Sequence, residues 1–285
     1  MQALADSPYT GPAGPMAWTR ADFDLDDPGD PAARLASGRV EVVVHAAAWT
    51  DVDGCARDPE LAMRRNAEAT AVLARACAQQ GVELVHVSTN EVFDGRRTEP
   101  PYGPDDEPNP INPYGASKLA GERAVEAARG GRQQGWHIVR TSWLFGPPGR
   151  DFPEKILAAG ERARDAGEPL RVVGDEHAAP TYTRDLAEAI VDLLAERDAP
   201  GPVHHLVNGG VTSRAGWAGE LFRQHGLDVE SEEVPASTWQ RASTPPLNAV
   251  LEPTPTATGE PLRPWQEALA DYVPLLRRQR AVAAR

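Results

Sequence analysis

Lysine is nearly absent from this sequence: of 29 basic side chains only Lys118 and Lys155 are lysines, so each stands out against an arginine-rich background. Cysteine is as scarce. Cys55 and Cys77 lie in alanine-rich stretches with no histidine or cysteine at metal-ligand spacing, which leaves no metal site and reads as two buried small hydrophobes. No apolar run approaches the ~18–20 residues that span a bilayer. The N-terminus also lacks an apolar signal core, so no membrane association is expected and the cytoplasm is the expected compartment. Surplus positive charge is missing too. The formal net charge is −13, and a phosphate-backbone partner needs clustered cations, so no nucleic acid is expected.

What is present is ordinary globular composition, 41% hydrophobic and 25% charged over 285 residues. That length suits an α/β domain with a smaller substrate-binding lobe. Asp27-Pro28 predicts a capped helix to about Ala36, and Met16 to Thr19 could form a short strand. Val40 to Ala47 is a near-continuous apolar run, as in a strand buried on both faces of a parallel sheet. Asp58-Pro59 caps a helix through about Gln80, ended by Gly81. Strand Val82 to Ser88, helix Asn112 to Arg129 and strand Trp136 to Thr141 complete a βαβαβ alternation, which implies a doubly wound parallel sheet. The second half is more broken. Helices are expected at Phe152 to Ala166, Arg184 to Glu196 and Arg214 to Gly226, with strands near Leu170 to Val173 and Val203 to Val207. A proline- and threonine-rich loop from Ser237 to Pro264 precedes a final helix to about Leu276. The division is therefore 1–150 for the dinucleotide-binding half and mainly 151–285 for the substrate lobe, some of whose elements return to the first half.

Tyr114 and Lys118, four residues apart at the start of a predicted helix, share one face. Reduction of a ketone by hydride needs a proton on its oxygen. A phenol with a free pKa near ~10 serves poorly unless a cation stabilises its phenolate, and Lys118 supplies that cation. Ser88-Thr89 closes a predicted parallel strand, where ligands bind in open α/β sheets, and a hydroxyl there can hold a substrate carbonyl. Ala46-Ala47-Ala48 with Thr50 follows another strand end, where small side chains let a flat ligand approach the backbone.

Over its length from about Trp18 to Tyr272 the chain resembles the dTDP-4-dehydrorhamnose reductase family. The resemblance rests on His45-Ala-Ala-Ala-Trp-Thr-Asp-Val-Asp53, Asn66-Ala67, and Val87-Ser-Thr-Asn-Glu-Val-Phe-Asp-Gly95. It continues through Asn112-Pro-Tyr-Gly-Ala-Ser-Lys118 with Gly121-Glu122, Arg140-Thr-Ser-Trp143, and Asp175 through Ala179-Pro180-Thr181. It implies a Rossmann-like fold, a catalytic set of Thr89, Tyr114 and Lys118, and NADPH or NADH as cofactor. The implied reaction is reduction of dTDP-4-dehydro-6-deoxy-L-mannose to dTDP-L-rhamnose, with a nucleotide sugar as substrate and a homodimer as a conceivable assembly. Ala46, Ala47, Ala48, Thr50 and Ser88 fall on the cofactor side. Val52, Asp53, Asn90, Glu91, Trp143, Ala179, Pro180 and Thr181 fall on the sugar side, and Arg241 to Pro246 matches a nucleotide-sugar loop.

Two departures accompany the resemblance. Asn90-Glu91 stands where many members carry Asp-Tyr. Members also open with a strand and a glycine-rich turn that holds the cofactor diphosphate on backbone N–H groups. Gly11 and Gly14 are no substitute, since no apolar strand precedes them and the prolines beside them donate no N–H. Met1 to Ala5 instead reads as the tail of the first helix. The first strand is thus expected to be missing from the sheet, either because translation starts further upstream or because the chain is a non-catalytic nucleotide-sugar-binding or regulatory homologue. A nucleotide-sugar epimerase or dehydratase, sharing the Thr, Tyr and Lys, is a further alternative.

Overall fold

The computed structural model describes residues 2–5, 14–131, 135–195, 202–256 and 259–283. Its centre is a four-stranded, all-parallel sheet in which β1 (Val42–His45), β2 (Glu83–Thr89) and β3 (Trp136–Thr141) lie side by side and Val203–His205 flanks β3. Parallel neighbours require crossover helices, and those helices cover both faces. Leu84, Trp136 and Ile138 pack against Leu73, Ala74, Cys77 and Val125 from the helices Ala69–Gln80 and Pro113–Arg129. Val85 and Val139 point the other way, onto Leu186, Ile190 and Leu193 of the helix Thr183–Ala195. The period-2 alternation of β2 thereby splits its residues between two cores.

A third core belongs to the second half. Trp217, Leu221, Phe145, Leu157, Leu269 and Tyr272 are all buried there and join the helices Phe152–Ala166, Arg214–His225 and Trp265–Ala283. At ~1.5–3 kcal/mol for each fully buried large apolar side chain, this cluster alone can hold the lobe together. Small two-stranded pairings bind it at the edges, among them Leu170–Val173 with Ser231–Val234 and Leu144–Phe145 with Thr181–Tyr182.

Local signals place most boundaries. Asp151 caps Phe152–Ala166 and Asn112 caps Pro113–Arg129, each with proline in the first turn and glycine after the end. Several expectations need correction. Met16 to Thr19 is not a strand: no described strand lies beside it, and Thr19 is bent into a turn in which its N–H and Oγ1 both donate to Asp22 at 2.8 Å. The first full helix starts at Pro31, capped by Asp30, because Gly29 at φ +56 turns the chain away after Pro28. Asp58 does cap a helix, but Arg64–Glu68 forms a π-helical turn within it before Ala69–Gln80 continues. That turn carries Asn66, whose amide accepts from Trp49 N at 2.7 Å and donates to Trp49 O and Ser117 Oγ, each at 3.0 Å. A short helix, Val52–Arg57, was not expected at all, and β1 is shorter than the apolar run that announces it. The final helix runs beyond Leu276 to Ala283.

Candidate active site

The site forms where β2 ends against the start of Pro113–Arg129. Asn112 caps that helix by accepting from Gly115 N at 2.8 Å. Gly115 is required here, since a Cβ on it would stand 2.0 Å from the Glu91 carbonyl oxygen. This close approach brings Tyr114 onto the end of β2, with its phenol beside the Thr89 hydroxyl. Thr89 is 7% and Tyr114 8% exposed, so water does not compete for that pair. Burial, reinforced by Glu91, raises the Tyr114 pKa against the opposing effect of the Thr89 hydroxyl, and the group stays protonated as a donor should.

One turn on, Lys118 is 2% exposed and donates to Val87 O at 2.8 Å, with His86 Nε2 at 3.4 Å from its nitrogen. Burial lowers its pKa to about 8, with Glu122 pulling the other way. A further turn places Glu122, which accepts from Ser88 Oγ at 2.5 Å and is gripped by Arg140 at 2.7 and 3.0 Å. Tyr114, Lys118 and Glu122, on one helix face, thus meet consecutive residues of β2 from His86 to Thr89.

Beside the Thr89–Tyr114 pair, Asn112 Nδ2 donates to Glu91 at 2.7 Å and to Thr244 O at 3.1 Å. Burial raises the Glu91 carboxyl, opposed by Asn112, Arg214 and Arg241. Asn90 donates to Ala249 O at 2.9 Å, and Asp53 accepts from Ser243 N at 3.0 Å and pairs with Arg241 at 3.8 Å. The 241–249 segment is therefore strapped across the end of β2 by Asp53, Asn90 and Asn112, all from the first half of the chain. Trp143 adopts φ +43, a costly conformation for a bulky residue, and stacks on Trp217 while Arg214 lies 3.7 Å above its ring. Ala179 and Thr181 adjoin it: Ser142 Oγ donates to Ala179 O at 2.6 Å and Thr181 N to Trp143 O at 3.2 Å. Arg214 and Glu176, 3.5 Å apart, and the buried Glu122–Arg140 pair were not singled out from sequence as site groups. Only their tertiary neighbours reveal them.

Ala46, Ala47, Ala48 and Thr50 lie apart from Thr89, Tyr114 and Lys118. They line a cavity of about 1260 Å³ along β1, together with Val42–His45, Met16–Arg20, Arg39 and Arg65. Among the described residues no strand pairs with that edge of β1. Gln2–Ala5 forms one helical turn, whereas Met1 and Gly11 lie outside the described residues.

A family described as RmlD substrate binding domain matches residues 8–278. A dTDP-4-dehydrorhamnose reductase of Mycobacterium tuberculosis H37Rv is 39% identical, over 90% of this chain and 83% of its own. The chain belongs to the dTDP-4-dehydrorhamnose reductase family. A solved member from Clostridium acetobutylicum superposes with a TM-score of 0.83 at 31% identity, covering 92% of this chain and 90% of its own. A Bacillus anthracis dTDP-4-dehydrorhamnose reductase, solved in complex with NADP, gives 0.79 at 29% identity over 90% and 88%. As a member of this reductase family the chain has a Rossmann-like parallel sheet, and no helix among the described residues is long and apolar enough to cross a membrane.

Proposed function

We propose that the protein reduces the 4-keto group of a dTDP-linked sugar, converting dTDP-4-dehydro-6-deoxy-L-mannose to dTDP-L-rhamnose with NADPH or NADH as reductant. The observation that carries this reading is the placement of Tyr114 beside Thr89 at the end of a central parallel strand, with Lys118 one turn along the same helix.

Small side chains at Ala46, Ala47 and Ala48 leave the backbone after β1 approachable, on the strand that pairs with β2 and its Ser88. Ala46, Ala47, Ala48, Thr50, Ser88, Tyr114 and Lys118 would hold the ring end of the cofactor. When bound, it supplies the hydride that reaches the carbonyl carbon. Tyr114 gives its proton to the carbonyl oxygen, leaving a secondary alcohol and a phenolate that is reprotonated before the next turnover. Thr89 donates to the same oxygen and fixes its position. Lys118 is charged below about pH 8 and stabilises the phenolate. The diphosphate end is less provided for: Gly14 stands at φ +78, and no strand precedes it among the described residues.

Residues 1–150 are proposed as the cofactor half and 151–285 as mainly the substrate half. Val52, Asp53, Asn90, Glu91, Trp143 and Ala179 to Thr181 are assigned to the sugar, supported by the strap that ties Asp53, Asn90 and Asn112 to residues 241–249. The test is direct: incubation with NADPH or NADH and the 4-keto sugar nucleotide should yield dTDP-L-rhamnose. Absence of any ketone-dependent oxidation of either cofactor would overturn the proposal.

A further inference from the structure

Beneath the catalytic helix lies a buried histidine that the mechanism does not use. His86 is fully buried on β2, and only its Nε2 has a partner, the Lys118 nitrogen at 3.4 Å. Its Nδ1 has no hydrogen-bond partner. Two tautomers are conceivable, and the contact decides between them. An N–H at Nε2 would aim one donor at another, so Nε2 must be the acceptor and the proton must sit on the unpartnered Nδ1. Burying an unpaired N–H is costly, a burden a merely packing side chain would not impose. Gly121 lets the helix come this close: a Cβ there would lie 2.6 Å from Asn66 O and 3.4 Å from His86 Nε2.

We propose that His86 is a positioning residue for Lys118: its neutral ring accepts a hydrogen bond from the ammonium and, together with the Val87 carbonyl, holds that charge under the end of β2. The proposal rests on the reductase reading for its purpose but not for its test.

The other groups facing Lys118 do not duplicate this role. On its own helix, Tyr114 is one turn before it and Glu122 one turn after, with the carboxylate already saturated by Arg140 from β3 and Ser88 from β2. From β1, His45 stacks on His86 at 5.4 Å and bonds Thr70 Oγ1 at 3.1 Å. Burial and the Lys118 charge keep both imidazoles neutral, His45 with a pKa of about 3 and His86 well below its ordinary value. Neither titrates near neutrality, so His86 remains an acceptor across the working range.

The scarcity of lysine provides the measurement. With two lysines in the chain, carbon-13 labelling at lysine Cε gives two resonances, and Lys155→Arg assigns them. In the otherwise unaltered protein the Lys118 signal should titrate near pH 8. In His86→Met, which keeps bulk but removes the acceptor, its midpoint should fall by about one pH unit, the size expected for losing one hydrogen bond to a charged group. His86→Gln, whose amide oxygen can accept, should stay within about 0.3 unit of the parent. The alkaline limb of turnover should move in the same order. An unmoved Lys118 midpoint in His86→Met, whatever happens to the melting temperature, would sink the proposal, as would a Gln shift equal to the Met shift. Because the resonance titrates without substrate, failure of the reductase reading would appear separately, as absence of turnover in the unmutated protein.

Discussion

The two ends of the site are built to different standards. At the end of β2, Thr89, Tyr114, Lys118, Glu122 and Arg140 are each less than 9% exposed and each satisfied by named partners. Along β1, Ala46, Ala47 and Thr50 are exposed, the strand edge is unpaired among the described residues, and a cavity of about 1260 Å³ runs beside it. Proton transfer depends on groups fixed within hydrogen-bond reach, so that end must be rigid before substrate arrives. Cofactor binding depends on area and on diphosphate contacts, and in the proposed reading the β1 side receives the cofactor.

Substitutions can break this contrast. The largest effect should come from Tyr114→Phe, which removes the proton donor and almost no volume. Turnover should fall by roughly 10²–10⁴-fold while cofactor affinity stays near that of the parent, and full activity in a ketone-dependent assay would refute the assignment. Next comes Glu122→Ala. It strands Arg140 in a site where both side chains are 4% exposed, so urea unfolding should register a loss of about 3–5 kcal/mol. A loss within the surface range would mean that the pair adds nothing to the rigid end.

Lys118 links stability and activity with opposite signs. Its pKa is lowered from 10.5 to about 8 on folding. Between those values the unfolded chain binds more protons than the folded one, so this group's contribution to stability rises with pH across the window. Turnover should decline over the same range as the ammonium is lost. Urea midpoints and rates compared at pH 7.5 and 9.5 read both trends. In Lys118→Met the rise in stability attributable to this group should vanish, together with part of the cofactor affinity. The smallest effect belongs to the loose end. Ala47→Leu should weaken NADPH or NADH binding by roughly tenfold in a calorimetric titration, and shift stability by no more than about 0.5 kcal/mol because the site is exposed. Unchanged affinity would move the cofactor away from Ala46–Thr50.

The same contrast separates what could be read in advance from what could not. The Tyr114–Lys118 spacing, the Ser88-Thr89 strand end and the Asp or Asn caps with following prolines were legible, because each depends on residues within one turn or one strand. The π-turn at Arg64–Glu68 was not, since it follows from Asn66 bonding Trp49 in another segment. The strand expected at Met16 to Thr19 failed for a related reason: strand propensity is realised only where a neighbouring strand offers its backbone.

By itself, then, the sequence determined the main βαβαβ alternation of the parallel sheet and the shared helix face of Tyr114 and Lys118, because periodicity and i,i+4 spacing are local properties of the chain. Only the tertiary structure decided that Lys118 rests on His86 and Val87, that Glu122 is consumed by Arg140 and Ser88, that Arg214 covers Trp143, and that the 241–249 strap closes over Asp53, Asn90 and Asn112. These pairings join residues far apart in the chain, and their energies come from burial, which removes competing water and which no local pattern records.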